Sequence, residues 1–95
     1  MNELRKLSAV ALKYPENVPV PFISIKENGL LAKRMIEIAK ENNVPIVKDD
    51  VLENVLSLYE VGSCIPENTW YAVAGIFAYI IRLENKNGGD NKDKM

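Results

Sequence analysis

Apolar residues occur in two patterns along this chain: short continuous runs, which predict strands, and helical spacing, which predicts helices. Residues 9–14 (AVALKY) form a short apolar run before a Pro-Glu-Asn turn, which predicts a buried strand. Two prolines within residues 18–21 (VPVP) keep that stretch extended at the margin of a sheet, because proline cannot donate to a ladder. The β-branched run 22–26 (FISIK) predicts a second strand, and 44–48 (VPIVK) a third.

A first helix is predicted between the second and third strands. Asn28 can cap it, and its apolar residues recur at i, i+4, i+7 and i+8. This stripe consists of Leu31, Met35, Ile38 and Ala39, and the other side carries Lys33, Arg34, Glu37, Lys40 and Glu41. The interleaved charges predict ion pairs at helical spacing on a solvated face.

Two more helices follow the third strand. Asp50 and Glu53 have the spacing of a capping box, and Gly62 stands where a left-handed C-terminal cap is needed, so the second helix should end near residue 60 or 61. Pro66 is a favoured first helical residue, and the third helix should run to about Leu83. Its main apolar stripe is Trp70, Val73, Phe77 and Ile81.

The order of these elements predicts an α/β fold. We expect a small central mixed sheet of three to four strands, including a parallel strand–helix–strand crossover, surrounded by three to four helices. The boundaries are an N-terminal segment over 1–8, the folded domain over 9–83 and a disordered tail over 84–95. The tail (ENKNGGDNKDKM) has no aromatic or β-branched residue with which to form a core.

Composition narrows the class of function. The 95 residues suffice for one domain, and a formal net charge of −1 gives no field that would draw the chain to nucleic acid. The longest near-apolar stretch is too short to span a bilayer, and no secretory signal is visible, so we expect a cytoplasmic protein without direct membrane insertion. With one cysteine and no histidine, neither a disulfide nor a Cys/His metal site is expected.

Few residues suggest catalytic chemistry. Cys64 has no histidine to activate it, and Gly29 at a helix start is weak evidence for anion binding. Asp49, Asp50 and Glu53 after a strand are compatible with a metal or phosphoacceptor site, but helix capping explains them more simply. We expect no enzyme activity, no catalytic residue, no cofactor and no metal.

Several segments together resemble the C-terminal cytoplasmic domain of the FlhB family of flagellar and type III secretion export switches. These are AVALKY, PFISIK, the run ENNVPIV, the pair EVG and IPE, and YAVA, and the resemblance covers about residues 9–81. It implies the FlhB C-terminal domain fold and a role in selecting and switching export substrates. We expect a stand-alone homologue without the family's membrane domain.

The resemblance also implies a reaction that this chain should lack. Family members cleave themselves inside an Asn-Pro-Thr-His segment just before the AVAL strand, and the matching positions here hold Leu4, Arg5, Lys6 and Leu7. The chain therefore resembles the cleaved product. A strand from upstream of the cut pairs with the sheet in the family, so another protein's strand, or residues 1–8, could complete the sheet here.

Finally, the resemblance implies a partner-binding pocket between the proline-containing entry to the second strand and the last helix. The matching residues are Val20, Pro21, Ala74 and Phe77. Ordinary core and turn packing is the alternative interpretation of these four. The expected partners are flagellar export-gate proteins and export substrates, including the membrane domain of a full-length FlhB, which would recruit the chain to the inner face of the membrane. Alternative functions are a soluble competitor of the export switch and an unrelated small α/β regulatory domain.

Overall fold

A computed structural model describes the backbone of residues 7–93 and the side chains of residues 7–85. Its sheet is an antiparallel pair, β1 (Ser8–Lys13) and β2 (Phe22–Asn28), with Ser8 opposite Asn28 and Lys13 opposite Phe22. The register shifts between Ala11 and Leu12, where β2 has one extra residue. Both strands were predicted, and the extended approach 18–21 precedes β2 as expected.

Helix α1 (Gly29–Glu41) follows β2 without a loop. The change of direction is made at Gly29, whose φ of 60° suits a residue without a Cβ, and its N–H donates to the carbonyl of Leu7 at 2.8 Å. The charged face is solvated as predicted, but the apolar stripe is only partly buried: Leu31 and Ile38 are exposed, and the buried residue is Ala32, outside the stripe. On that face hydrogen bonds from Lys33 and then Arg34 lower the pKa of Glu37.

The prediction of a third strand is wrong. The predicted mixed sheet of three to four strands and its parallel crossover are therefore wrong as well. Residues 44–48 run without a ladder partner among the described residues, and Val44, Ile46 and Val47 are about half exposed. A strand needs an open edge to pair with as well as a β-branched sequence. The α/β class itself is confirmed, with two strands, three α-helices and one 3₁₀ turn in the described part of the chain.

Helix α2 (Asp50–Leu56) starts and ends differently from the prediction. Its N-cap is Asp49, not Asp50, because the Asp49 carboxylate accepts from the N–H of Leu52 at 3.0 Å. It ends at Leu56, well before Gly62. Lys26 on β2 explains the early end, since its ammonium donates to the carbonyls of Ser57 and Tyr59 at 3.0 and 2.8 Å and holds the chain in a turn.

The chain then returns to the outer edge of β2. Gly62, with φ of 95°, donates its N–H to the carbonyl of Ile23 at 2.7 Å, and Ile23 donates back to the carbonyl of Ser63 at 2.9 Å. A bridge joins Phe22 to Cys64. This extended segment, and not residues 44–48, therefore occupies the free edge of β2.

A 3₁₀ turn (Glu67–Thr69) leads into α3 (Trp70–Asp93). The core lies between the hairpin and the helices α2 and α3: Ile23, Leu56, Ile65 and Val73 are buried together. Helix α3 continues beyond Leu83, where the sequence predicted its end, and the described chain is helical through Asp93. The boundaries at 8 and 83 and the disordered tail stay predictions, and residues 1–6, 94 and 95 lie outside the described residues. In the part of the chain described, no helix is both long and apolar enough to cross a bilayer.

Replacing Ile23 by alanine tests the core. Ile23 is fully buried, so Ile23→Ala should lower the free energy of unfolding by about 2–5 kcal/mol in urea titration followed by circular dichroism. Tyr71→Ala is the control, because Tyr71 is 94% exposed and its loss should change stability by less than about 0.5 kcal/mol. Equal effects of the two changes would contradict this core.

A second pair of substitutions tests which aspartate caps α2. Asp49→Ala should cost about 0.5–2 kcal/mol of unfolding free energy, because the N–H of Leu52 loses its acceptor. Asp50→Ala removes an exposed ion pair with Lys48 and a solvated first-turn carboxylate, and it should cost less than about 1 kcal/mol. If thermal or urea unfolding ranks them the other way, Asp50 is the cap that the sequence predicted.

Candidate docking groove

An apolar groove of about 210 Å³ lies between the loop that enters β2 and the first half of α3. Residues from three parts of the chain line it: Tyr14, Pro19, Val20 and Pro21 before β2, Ile65 before the 3₁₀ turn, and Trp70, Val73, Ala74 and Phe77 on α3. Cavities of about 150 Å³ accept a benzene ring, and pockets for drug-sized ligands begin near 300 Å³. The groove therefore suits one or two apolar side chains.

The loop side of the groove is held by the pairing of the chain with β2. Pro21 is buried, and its carbonyl accepts from the N–H of Ile65 at 3.0 Å, which ties the loop to the approach of α3. Val20 is half-buried and packs against the core cluster. Pro19 and Pro21 have fixed φ angles, so this side of the groove is stiff.

The helical side presents one face of α3. Trp70, Val73, Ala74 and Phe77 follow the spacing i, i+3, i+4 and i+7, which places them on one stripe. Val73 is buried beneath the groove, whereas Ala74 is exposed and, being small, leaves room beside the ring of Phe77. The Trp70 indole N–H donates to the carbonyl of Ile65 at 3.0 Å, which fixes the start of the helix.

An aromatic pair crosses the groove at the other end of this stripe. The rings of Tyr14 and Phe77 stack with centroids 5.8 Å apart and planes 19° from parallel. The Tyr14 hydroxyl donates to the carbonyl of Pro19 at 3.3 Å. Tyr14 therefore touches both the loop and the helix.

The lining carries no charged side chain, and its two polar side-chain groups donate hydrogen bonds. Both prolines lack an N–H, and the indole of Trp70 and the hydroxyl of Tyr14 donate to backbone carbonyls. A polar or charged side chain entering the groove would lose its water without gaining a partner there, at a cost of about 1–3 kcal/mol for a neutral group. This chemistry favours an apolar occupant.

All four site residues predicted from the resemblance, Val20, Pro21, Ala74 and Phe77, lie together in this groove. The prediction omitted five neighbours: Tyr14, Pro19, Ile65, Trp70 and Val73. The helical stripe already contained Trp70 and Val73, and Pro19 belongs to the same extended stretch as Pro21. The sequence holds no local signal for Tyr14, because its approach depends on how the loop after β1 folds back.

The other candidate sites are explained by structural contacts. Asp49 caps α2, Asp50 pairs with Lys48, and the carboxylate of Glu53 accepts from the hydroxyl of Ser8 at 2.6 Å. The N–H of Gly29 is engaged by Leu7, as described above. Cys64 is exposed. Within the described residues, no three metal-ligating side chains cluster.

A second groove, of about 260 Å³, lies between α2 and the start of α3. Its lining combines apolar side chains with Asp49, Asn68 and Thr69. It contains none of the predicted site residues. The first groove is therefore the candidate site, because it contains all four residues predicted from the sequence.

Comparison with known proteins relates both the sequence and the fold to one family. Residues 7–80 match the family described as "FlhB HrpN YscU SpaS Family". The chain is 37% identical over 79 residues to the flagellar biosynthetic protein FlhB of Helicobacter pylori. This alignment covers 82% of this chain and 22% of that protein. It is 35% identical over 77 residues to the uncharacterized protein YlqH of Bacillus subtilis, in an alignment that covers 80% of this chain and 83% of YlqH.

A solved structure agrees with these matches. The cytoplasmic domain of FlhB from Shewanella putrefaciens superposes with a TM-score of 0.80 at 30% identity, over 86% of this chain and 69% of that one. The chain spans about a fifth of the length of the FlhB proteins that it matches. Because sequence and fold agree, the alternative of an unrelated α/β regulatory domain is wrong, and this chain belongs to the FlhB family of the flagellar and type III export apparatus.

Proposed function

We propose that this chain is a non-catalytic interaction module of the flagellar type III protein export apparatus. It acts by docking an apolar segment of an export substrate or of an export-gate component. The observation that carries this proposal is the uncharged groove that contains Val20, Pro21, Ala74 and Phe77. Its neutral, hydrogen-bond-poor lining is suited to binding an apolar side chain and contains no carboxylate, imidazole, amine or thiol.

The size of the groove suits a transient contact. Full burial of one large apolar side chain contributes about 1.5–3 kcal/mol. Such an anchor alone gives weak binding, and further contacts around the groove must supply the rest. Weak docking fits a protein that meets a succession of substrates, because each must leave before the next one binds.

The sequence ahead of β1 supports a binding role over self-cleavage. The positions that match the family's Asn-Pro-Thr-His segment hold Leu4, Arg5, Lys6 and Leu7, so no asparagine is present to cyclise and no histidine to assist. Residues 9–81 resemble the part of the family that follows the cut. We infer that it stands in for the cleaved cytoplasmic fragment of FlhB and works in the cytoplasm at the inner face of the membrane.

The sheet offers a second contact for this role. Among the described residues, β1 pairs only with β2, and its other edge has no ladder partner. A strand supplied by a full-length FlhB could add to that edge through backbone hydrogen bonds. The membrane-anchored part of such a protein is thus our proposed docking partner at the gate, alongside export substrates.

Ala74→Asp and Phe77→Asp test docking in the groove. A carboxylate at either position would lose its water when an apolar side chain docks and would gain no partner, so binding of purified early rod or hook substrates and gate proteins should fall at least tenfold. Binding can be followed by pull-down and by the fluorescence of Trp70, the single tryptophan, which lies in the groove. Ala74 is exposed, so Ala74→Asp should leave the core intact. This variant therefore still tests docking if Phe77→Asp does not fold.

Tyr79→Asp is the matched control, since Tyr79 is on the same helix, is 54% exposed and does not line the groove. It should bind like the unmodified protein. Equal binding by Ala74→Asp, Tyr79→Asp and the unmodified protein would refute docking in this groove. Loss of binding in Ala74→Asp, Phe77→Asp and Tyr79→Asp alike would show that the contact is not confined to the groove and includes another face of α3.

A genetic experiment tests the stand-in role. In cells whose FlhB is truncated before its cytoplasmic domain, expression of this chain should restore part of substrate export and swimming, and the Ala74→Asp variant should not. In cells with intact FlhB, moderate expression should leave export unchanged. The opposite pattern, no rescue and reduced export in intact cells, would show a soluble competitor of the export switch.

A further inference from the structure

We infer that Tyr14 sets the specificity of the groove by closing one of its ends and so limiting the size of the side chain that can enter. This inference rests on the proposed function, because it concerns the occupant of the same groove. Tyr14 was not among the residues that the sequence pointed to. Three observations on its position support the assignment.

The first observation is that the groove has two aromatic ends. Trp70 and Phe77 are the first and last of its lining residues on α3 and are seven residues apart, which is about 10 Å along a helix axis. Trp70 is fixed by its hydrogen bond to Ile65. At the far end, the ring of Tyr14 stacks on that of Phe77.

The second observation is that Tyr14 bridges the two sides. Its ring lies against Phe77 on α3, and its hydroxyl donates to Pro19 on the loop. A side chain that extended past Phe77 would have to displace this bridge. The volume of about 210 Å³ accommodates a leucine-sized or phenyl side chain, and we expect the longer indole to press against the bridge that Tyr14 makes.

The third observation is that Tyr14 can be changed without removing core. It is 54% exposed and is absent from the buried cluster, in contrast to Val73 and Ile65 on the groove floor. Its removal should lengthen the groove and leave the fold in place. Size selection and stability are then separable, which distinguishes a specificity residue from a structural one.

The test measures which side chain the groove prefers. N-acetyl-leucinamide, N-acetyl-tryptophanamide and N-acetyl-asparaginamide are titrated into isotope-labelled protein, and binding is read from the amide resonances of Ala74 and Phe77. The unmodified protein should bind the leucine probe more tightly than the tryptophan probe, and the isosteric asparagine probe should not bind measurably. Tyr14→Ala should shift the leucine-to-tryptophan ratio toward tryptophan by roughly tenfold, the usual effect of a size change in an apolar pocket.

Two variants serve as controls. Tyr14→Phe keeps the stacked ring and loses the hydroxyl, so it should retain most of the preference for leucine. Tyr79→Ala removes an equally exposed tyrosine outside the groove and should leave the ratio unchanged. Thermal unfolding of each variant verifies that the fold is kept.

The outcomes separate this inference from the proposed function. If the leucine probe binds at Ala74 and Phe77 but Tyr14→Ala leaves the ratio unchanged, the inference on Tyr14 is overturned while docking in the groove stands. If no apolar probe perturbs those resonances, both are overturned. A Tyr14-dependent ratio in a chain that captures no export protein would support the size limit and reject the flagellar partner.

Discussion

The pairing of residues 62–65 with the outer edge of β2 is the constraint on which the rest of the structure depends. Three backbone hydrogen bonds of 2.7–3.0 Å and one bridge join this segment to Pro21, Phe22 and Ile23. Gly62 makes the turn that starts the segment, at a φ of 95° that other residues rarely adopt. The pairing buries Ile65 in the core and sets where α3 begins.

The groove is a direct consequence of that pairing. The bond from Ile65 to Pro21 brings the proline loop alongside the first turns of α3, and the indole of Trp70 then binds the carbonyl of the same Ile65. One residue thus connects both sides of the groove and contributes to its floor. Because the prolines offer no N–H, the loop adds shape to the groove without adding donors.

The sequence pattern predicted the elements whose formation depends on neighbouring residues in the chain. β1, β2 and the body of α1 follow from runs and periodicity, and the four groove residues follow from family resemblance, which carries long-range information that periodicity lacks. The errors arise from contacts between distant residues. Residues 44–48 have the composition of a strand but no partner edge, and α2 stops early because Lys26, some thirty residues away, binds the carbonyls of Ser57 and Tyr59. Tyr14 reaches the groove through a loop whose folding no spacing rule describes.

The outer edge of β1, which has no ladder partner among residues 7–93, is a second possible contact surface beside the groove. A hairpin of two strands is marginal by itself, and here it is stabilised by Val10 and Leu12, which pack against the core cluster. The edge is short and ends in the exposed Lys13, and Pro45 interrupts the apolar segment 44–48. These features discourage sheet aggregation. No residue of β1 lines the groove. A strand could therefore add to the sheet while an apolar side chain occupies the groove, because the two contacts would use different residues.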